Sequence, residues 1–215
     1  MITVFQESEN GQSNELLEQV YRMRHKLFVE RLGWNEIRRP DGREIDQFDG
    51  PDAVHICCLR DGKLVGYSRL LPTTKPHLLD TIYPQLLNGK SAPFGPDIFE
   101  WTRCTVVPDK IEGPDAFSQV TRLLYLGLVE YCLRAGITAL TVEYHPFLLA
   151  RQLELGFIVK PLALPSKING HAVVPVFAEI TENTLMTMRK MFEIDHSVIE
   201  IVSNTLIDRD INISI

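Results

Sequence analysis

The sequence predicts an α+β protein with a central mixed, largely antiparallel sheet flanked by helices, an α/β/α sandwich. Three observations carry this. Two β-rich runs, Ala53–Arg60 and Lys63–Leu71, are separated by the pair Asp61-Gly62, a strong hairpin signal. Long helical patterns cover Asn14–Leu32 and Ala116–Ala135. The full order reads β, α, hairpin, β, α, β, α, β, β, α, which suits a sheet covered by helices better than a bundle or an all-β barrel.

The elements follow in order. Residues 2–6 (ITVFQ) read as a first strand. In the first helix Leu17, Val20, Tyr21, Leu27 and Phe28 share a face, with Arg24 in the middle of the stripe, and Gly33-Trp34 ends it. Residues 35–51 are rich in Pro, Gly and charge and read as loop. After the hairpin, Pro72, Pro76 and Pro84 break the chain, and Ile98–Val107 (IFEWTRCTVV) is a further strand. Residues 108–114 are a polar loop, and Gly136 closes the second long helix. Ile137–Tyr144 is a strand, Phe147–Leu155 a short helix, Phe157–Leu162 and Val173–Ile180 strands, and residues 182–205 a last helix. No repeat, low-complexity tract or linker interrupts the chain, so residues 1–215 are expected to form one domain.

Composition narrows the function classes. A net charge of −6 argues against a nucleic-acid binder, which normally shows a basic face. MITVFQESEN shows no secretory signal and no run of 18 apolar residues exists, so a cytoplasmic protein without a membrane span is expected. The four cysteines have no CxxC spacing and no partnered histidines, so no metal site is expected and buried reduced thiols are the simpler reading. There is no GxSxG, P-loop, GxGxxG after a strand, or HExxH.

What remains is a set of charges in apolar surroundings. Arg24, on an apolar stripe, must meet a carboxylate or a ligand anion, or snorkel to water. The stretch GREIDQFDG places Asp46 and Asp49 three residues apart beside Ile45 and Phe48. The two aspartates either cap a turn or face one cation together. Arg69 in GYSRLL can lie over the sheet where this segment passes and pair with it, leaving a fixed acidic wall. In FEWTRCTVV, Glu100 and Arg103 interrupt a strand, alternation placing Glu100 on one face and Trp101 and Arg103 on the other. Desolvation would raise the pKa of a carboxylate there, which suits a general base, or else Glu100 forms an internal ion pair with Arg24 or another cation.

Together these residues resemble the LuxI-type acyl-homoserine-lactone synthases: Arg24, Phe28 and Trp34, then Asp46-x-x-Asp49, then Arg69-Leu70-Leu71-Pro72, then Glu100-x-x-Arg103. The resemblance is strong over residues 20–108 and weak beyond. It implies a GNAT-like fold and an acyltransferase with S-adenosylmethionine (SAM) and an acyl thioester as substrates and no cofactor or metal. The SAM amine attacks the thioester carbonyl, and the SAM carboxylate then closes the lactone and expels methylthioadenosine (MTA).

On this reading Glu100 is the general base, and Arg24, Phe28, Trp34, Asp46, Trp101 and Arg103 bind SAM, Phe28 and Trp34 receiving its sulfonium. Asp49 and Arg69 form a structural ion pair, with Asp46 the aspartate that meets substrate. Backbone N–H groups near residues 103–106 hold the oxyanion, and Leu124, Leu128, Val142, Tyr144 and Phe147 line the acyl pocket. RRPDGREIDQFD and LPTTKP resemble the branch that uses coenzyme A thioesters of compact branched or aromatic acids. The other donor is an acyl-carrier protein, for which Arg22, Lys26, Arg38, Arg39 and Arg43 offer a basic patch or merely a solvated face. The rival is a GNAT-type N-acetyltransferase acting on a small amine, whose pyrophosphate-binding turn is missing from PDKIEGPDAFSQVTR. A non-catalytic small-molecule sensor would have no need of Glu100 beside an acidic pair.

Overall fold

The computed structural model describes residues 1–6, 14–107 and 118–201. Its strands form an open, mixed, mostly antiparallel sheet flanked by helices, as expected. The described residues divide into two compact units, the first drawn from 1–6, 14–69, 103–107, 118–128 and 198–201, the second from 70–102 and 129–197.

In the first unit, strand β1 (Ile2–Gln6) pairs antiparallel with β2 (Val54–Arg60) and parallel with the short β9 (Ile199–Ile201). β2 continues through Asp61-Gly62 into β3 (Lys63–Pro72), and both turn residues take positive φ, at 51° and 73°, as a tight hairpin requires. β4 (Ile98–Val106) lies beside β3. Pairing Thr3 with Cys57 and Phe5 with His55 puts Phe5 and Cys57 on one face, where Leu17, Val20, Met23, Leu27 and Tyr67 close a core. Ile2 and Cys58 point the other way, towards α3 (Gln119–Arg134). That helix comes so close that a Cβ on Gly127 would lie 2.8 Å from the Ile2 side chain, and one on Gly66 2.8 Å from Val120.

The first helix departs from the uniform pattern expected over Asn14–Leu32. α1 (Asn14–Arg24) is α-helical, and His25–Arg31 continues as a π-helix, with Leu32 N–H donating to Leu27 C=O. Wide turns of this kind recur at functional sites. Apolar spacing cannot announce one, because the buried residues on either side keep a helical repeat.

In the second unit β5 (Ala139–Tyr144) pairs parallel with β4 and antiparallel with β8 (His171–Glu179), which also pairs with β6 (Ile158–Pro161) and β7 (Ser166–Ile168). The Pro-broken stretch holds a single helical turn, α2 (Leu78–Thr81), and a 3-10 turn at Pro84–Leu87, whose leucines bury with Leu79. α4 covers Leu148–Glu154. The last helix is shorter than expected. α5 (Glu182–Phe192) starts at a Thr181 capping box and stops at Glu193, whose φ of 57° breaks the helix. Residues 199–201 of the predicted helix are strand β9, since a β-branched run beside β1 satisfies its backbone there, and 202–205 lie outside the described residues, as do 108–114 and 116–117. Among the described residues no helix is long and apolar enough to cross a membrane.

Candidate active site

Six charged side chains meet in the first unit, drawn from α1, the loop after it, β3 and β4. Arg24, fully buried, donates from Nε to Glu44 Oε2 at 2.5 Å and from Nη1 to Asp49 Oδ1 at 2.6 Å. Arg69, also fully buried, holds Asp46 through two bonds, at 2.7 and 2.9 Å, and Asp49 through a third at 2.5 Å. Arg103 donates to Glu44 and to Asp46, at 2.9 Å to the latter. Three guanidinium groups thus face three carboxylates, so the acidic segment is paired with arginines in a balanced network that also includes Glu44. Burial opposes ionisation of Asp49, yet Arg24 and Arg69 outweigh it and hold its carboxyl far below the ordinary range. Burial likewise opposes ionisation of Glu44, and the bonds and charges of Arg24 and Arg103 hold it low.

GREIDQFDG therefore does both things its sequence allowed. Asp46 accepts from Phe48 N–H and Asp49 from Asp46 N–H, the turn-capping pattern, while the other lone pairs meet arginines. The division of labour between the aspartates is less clean than expected, because both bind Arg69. Asp49 has no exposed side-chain surface, and Asp46 keeps 16%. Glu44 carries two arginines and was not singled out in sequence, where it reads as one more charge in a polar loop. Its only signal is its position two residues before Asp46, the spacing that puts alternate side chains of an extended segment on one side.

Arg103 has φ 55° inside a strand. A left-handed non-glycine residue costs about 1–3 kcal/mol and persists where its surroundings enforce it. It interrupts the alternation expected along FEWTRCTVV and sends the guanidinium to Glu44, Asp46 and the face of Phe28, 5.6 Å from the ring centroid. Phe28 stacks on Trp34 with centroids 5.0 Å apart, and Trp34 keeps 40% of its surface exposed. One atom of the network is unfinished: Nη2 of Arg24 is buried without a hydrogen-bond partner among the described residues, and Asp46 Oδ2 lies 3.6 Å from it.

In the second unit Glu100 is fully buried and accepts from the N–H groups of Leu78 and Leu79, at 2.8 and 2.6 Å. Arg24 meets Glu44 and Asp49, the partnership that the sequence had left open to Glu100. Trp101 is buried and stacks on Phe157, with centroids 6.5 Å apart. Of the expected acyl-pocket residues, Leu124 and Leu128 are buried in α3, Val142 is buried and Tyr144 half-buried in β5, and Phe147 is 70% exposed. Tyr144 donates to Gln152 of α4. Arg22, Lys26, Arg38 and Arg39 are exposed, and Arg22, Arg38, Arg39 and Arg43 are engaged with nearby acidic or amide groups.

The pattern of the autoinducer synthase family matches residues 8–173. The chain belongs to that family. It is 36% identical to the isovaleryl-homoserine lactone synthase of Bradyrhizobium diazoefficiens over 171 residues, 80% of this chain and 76% of that one. It superposes on BjaI, a CoA-dependent acyl-homoserine lactone synthase solved with MTA and with SAM and isopentyl-CoA, with a TM-score of 0.88, 31% identity and 99% of both chains covered. Family and fold together make it an acyl-homoserine-lactone synthase, an acyltransferase. Escherichia coli ElaA, at 18% identity and a TM-score of 0.55, shares the fold alone, and the expected GNAT-like architecture is borne out.

A buried histidine lies near the network. His55, fully buried, shares a 2.8 Å hydrogen bond with Tyr67, and burial drives its pKa from 6.5 down to about 3. Between those values the unfolded chain binds a proton that the folded protein refuses, so stability falls as pH falls, at up to ~1.4 kcal/mol per pH unit. The urea midpoint should therefore drop from about pH 7 to about pH 5, and His55→Gln should flatten that slope. An identical slope in the variant would refute the assignment.

Proposed function

We propose that this synthase takes SAM together with an acyl-CoA thioester, in the cytoplasm where both are made, with an acyl-carrier protein as the second donor to test. The observation that carries the SAM site is the balanced arginine–carboxylate network bordered by the Phe28–Trp34 stack. SAM presents a sulfonium, an amine and a carboxylate. The aromatic faces suit the sulfonium, the unused Nη2 of Arg24 and the Arg103 guanidinium suit the carboxylate, and Asp46, the less buried aspartate, suits the amine.

Glu100 is the proposed base. The amine nitrogen bonds to the thioester carbon, its proton passes to Glu100, and the carbon–sulfur bond breaks. The carboxylate of the acylated product then attacks its own γ-carbon and expels MTA. Both steps are heterolytic and need no redox cofactor. Val142 and Tyr144 of β5 are proposed to line the acyl group with Leu124, Leu128 and Phe147, and backbone N–H groups near residues 103–106 to receive the oxyanion.

Incubating the purified protein with SAM and a panel of acyl-CoA and acyl-carrier-protein donors should yield N-acyl-homoserine lactone and MTA by mass spectrometry, with compact branched or aromatic acyl-CoAs the best donors. No MTA with any donor would overturn the reading, and amide without MTA would favour the N-acetyltransferase.

A further inference from the structure

Three polar side chains of the second unit share one face of two neighbouring parallel strands. Glu100 of β4 lies level with Thr141 of β5, and Glu143, two residues on, returns to the same face. Glu100 is engaged by the N–H groups of Leu78 and Leu79. Its neighbours are differently placed. Thr141 is fully buried and its Oγ1 has no hydrogen-bond partner among the described residues; Oε1 of Glu143 is shut off from solvent and has none either. The register of β4 with β5 ends at Glu100 and Thr141, although β5 runs on to Tyr144. Glu143 thus lies on the stretch of β5 beyond that pairing.

Each buried polar atom left unpaired costs about 1–3 kcal/mol. Two such atoms beside one engaged carboxylate describe a surface that a ligand completes. The protonation pattern follows from the donors. A carboxyl fed by two N–H groups keeps the negative charge, and a carboxyl next to it with an undonated buried oxygen keeps the proton, because neighbouring carboxylates resist double ionisation. Burial first and the Glu100 charge second push the Glu143 carboxyl well above its ordinary range, against its own backbone N–H, and the residue facing it across β8 is the uncharged Pro175.

We propose that Glu143 is a second catalytic residue: its O–H donates to the carbonyl oxygen of the acyl thioester while Glu100 takes the proton of the attacking amine. The inference rests on the synthase reading above. As nitrogen bonds to the carbonyl carbon, the oxygen gains charge and draws on the Glu143 hydrogen bond. Collapse breaks the carbon–sulfur bond, and the proton held by Glu100 passes to the departing thiolate. Glu143 ends as it began, protonated.

The test compares Glu143→Leu, which removes the donor, with Glu143→Gln, which keeps an N–H donor without a titrating proton. In the MTA-release assay Glu143→Leu should lower kcat about 10²–10³-fold with little change in SAM binding, and Glu143→Gln should recover turnover to within about tenfold of the parent. Infrared spectra of the unliganded protein at neutral pH should show a protonated-carboxyl band that Glu143→Gln abolishes. Wild-type kcat in Glu143→Leu would overturn the proposal, and so would Glu143→Gln as inactive as Glu143→Leu. Absence of the infrared band would overturn it without reference to turnover. Failure of the parent protein to make lactone would instead overturn the synthase reading.

Discussion

Glu100→Gln should slow lactone formation about 10²–10⁴-fold, the usual worth of a positioned general base. The substitution also touches structure, since Glu100 ties down the N–H groups of Leu78 and Leu79. An amide offers one acceptor oxygen where the carboxylate used two, so one buried N–H loses its partner and stability drops by about 1–3 kcal/mol. The two effects separate by measurement. Calorimetric titration of SAM should give near-parental affinity while MTA release collapses. Retained turnover would remove Glu100 from the chemistry and leave it the anchor of α2.

Arg69→Met should be the most destabilising single change in the network, at about 3–5 kcal/mol, because it leaves Asp46 and Asp49 with one cation fewer, the Asp49 side chain being closed to water. Chemical denaturation at neutral pH measures it. Pairing it with Asp49→Asn should return part of the loss, since the stranded charge goes too. A loss under about 1 kcal/mol would mean that the surrounding groups relax to solvate the aspartates.

What the sequence disclosed follows from where the information sits. Asp61-Gly62 between β-rich runs is a local signal, and the hairpin is where it points. Arg24 on an apolar stripe, Arg69 in a strand and an Asp-x-x-Asp among apolar residues are each locally improbable, and the pairing of these four groups with one another is the answer. Glu44 lacked such contrast, because a glutamate between Arg43 and Ile45 in a polar loop looks solvated until Arg24 and Arg103 are placed on it. The link from Glu100 to Leu78 and Leu79 spans 22 and 21 residues and rests on backbone N–H groups that any sequence would supply. The end of α5 at Glu193 and the strand Ile199–Ile201 hid for another reason. The helix ends on a left-handed backbone turn at Glu193, and the strand depends on β1, almost two hundred positions away.

The balanced network also constrains how the chain reaches its native state. Its six charges come from four segments spread between residues 24 and 103, and none reaches neutrality in the company of its nearest sequence neighbours alone. A partly folded chain that shuts Arg69 into the hairpin before the loop of residues 44–49 arrives carries an unpaired ion in the dark, at a cost of several kcal/mol. Such species are suppressed, so these segments close in concert. These charges thereby act during folding as a checkpoint against half-built structures.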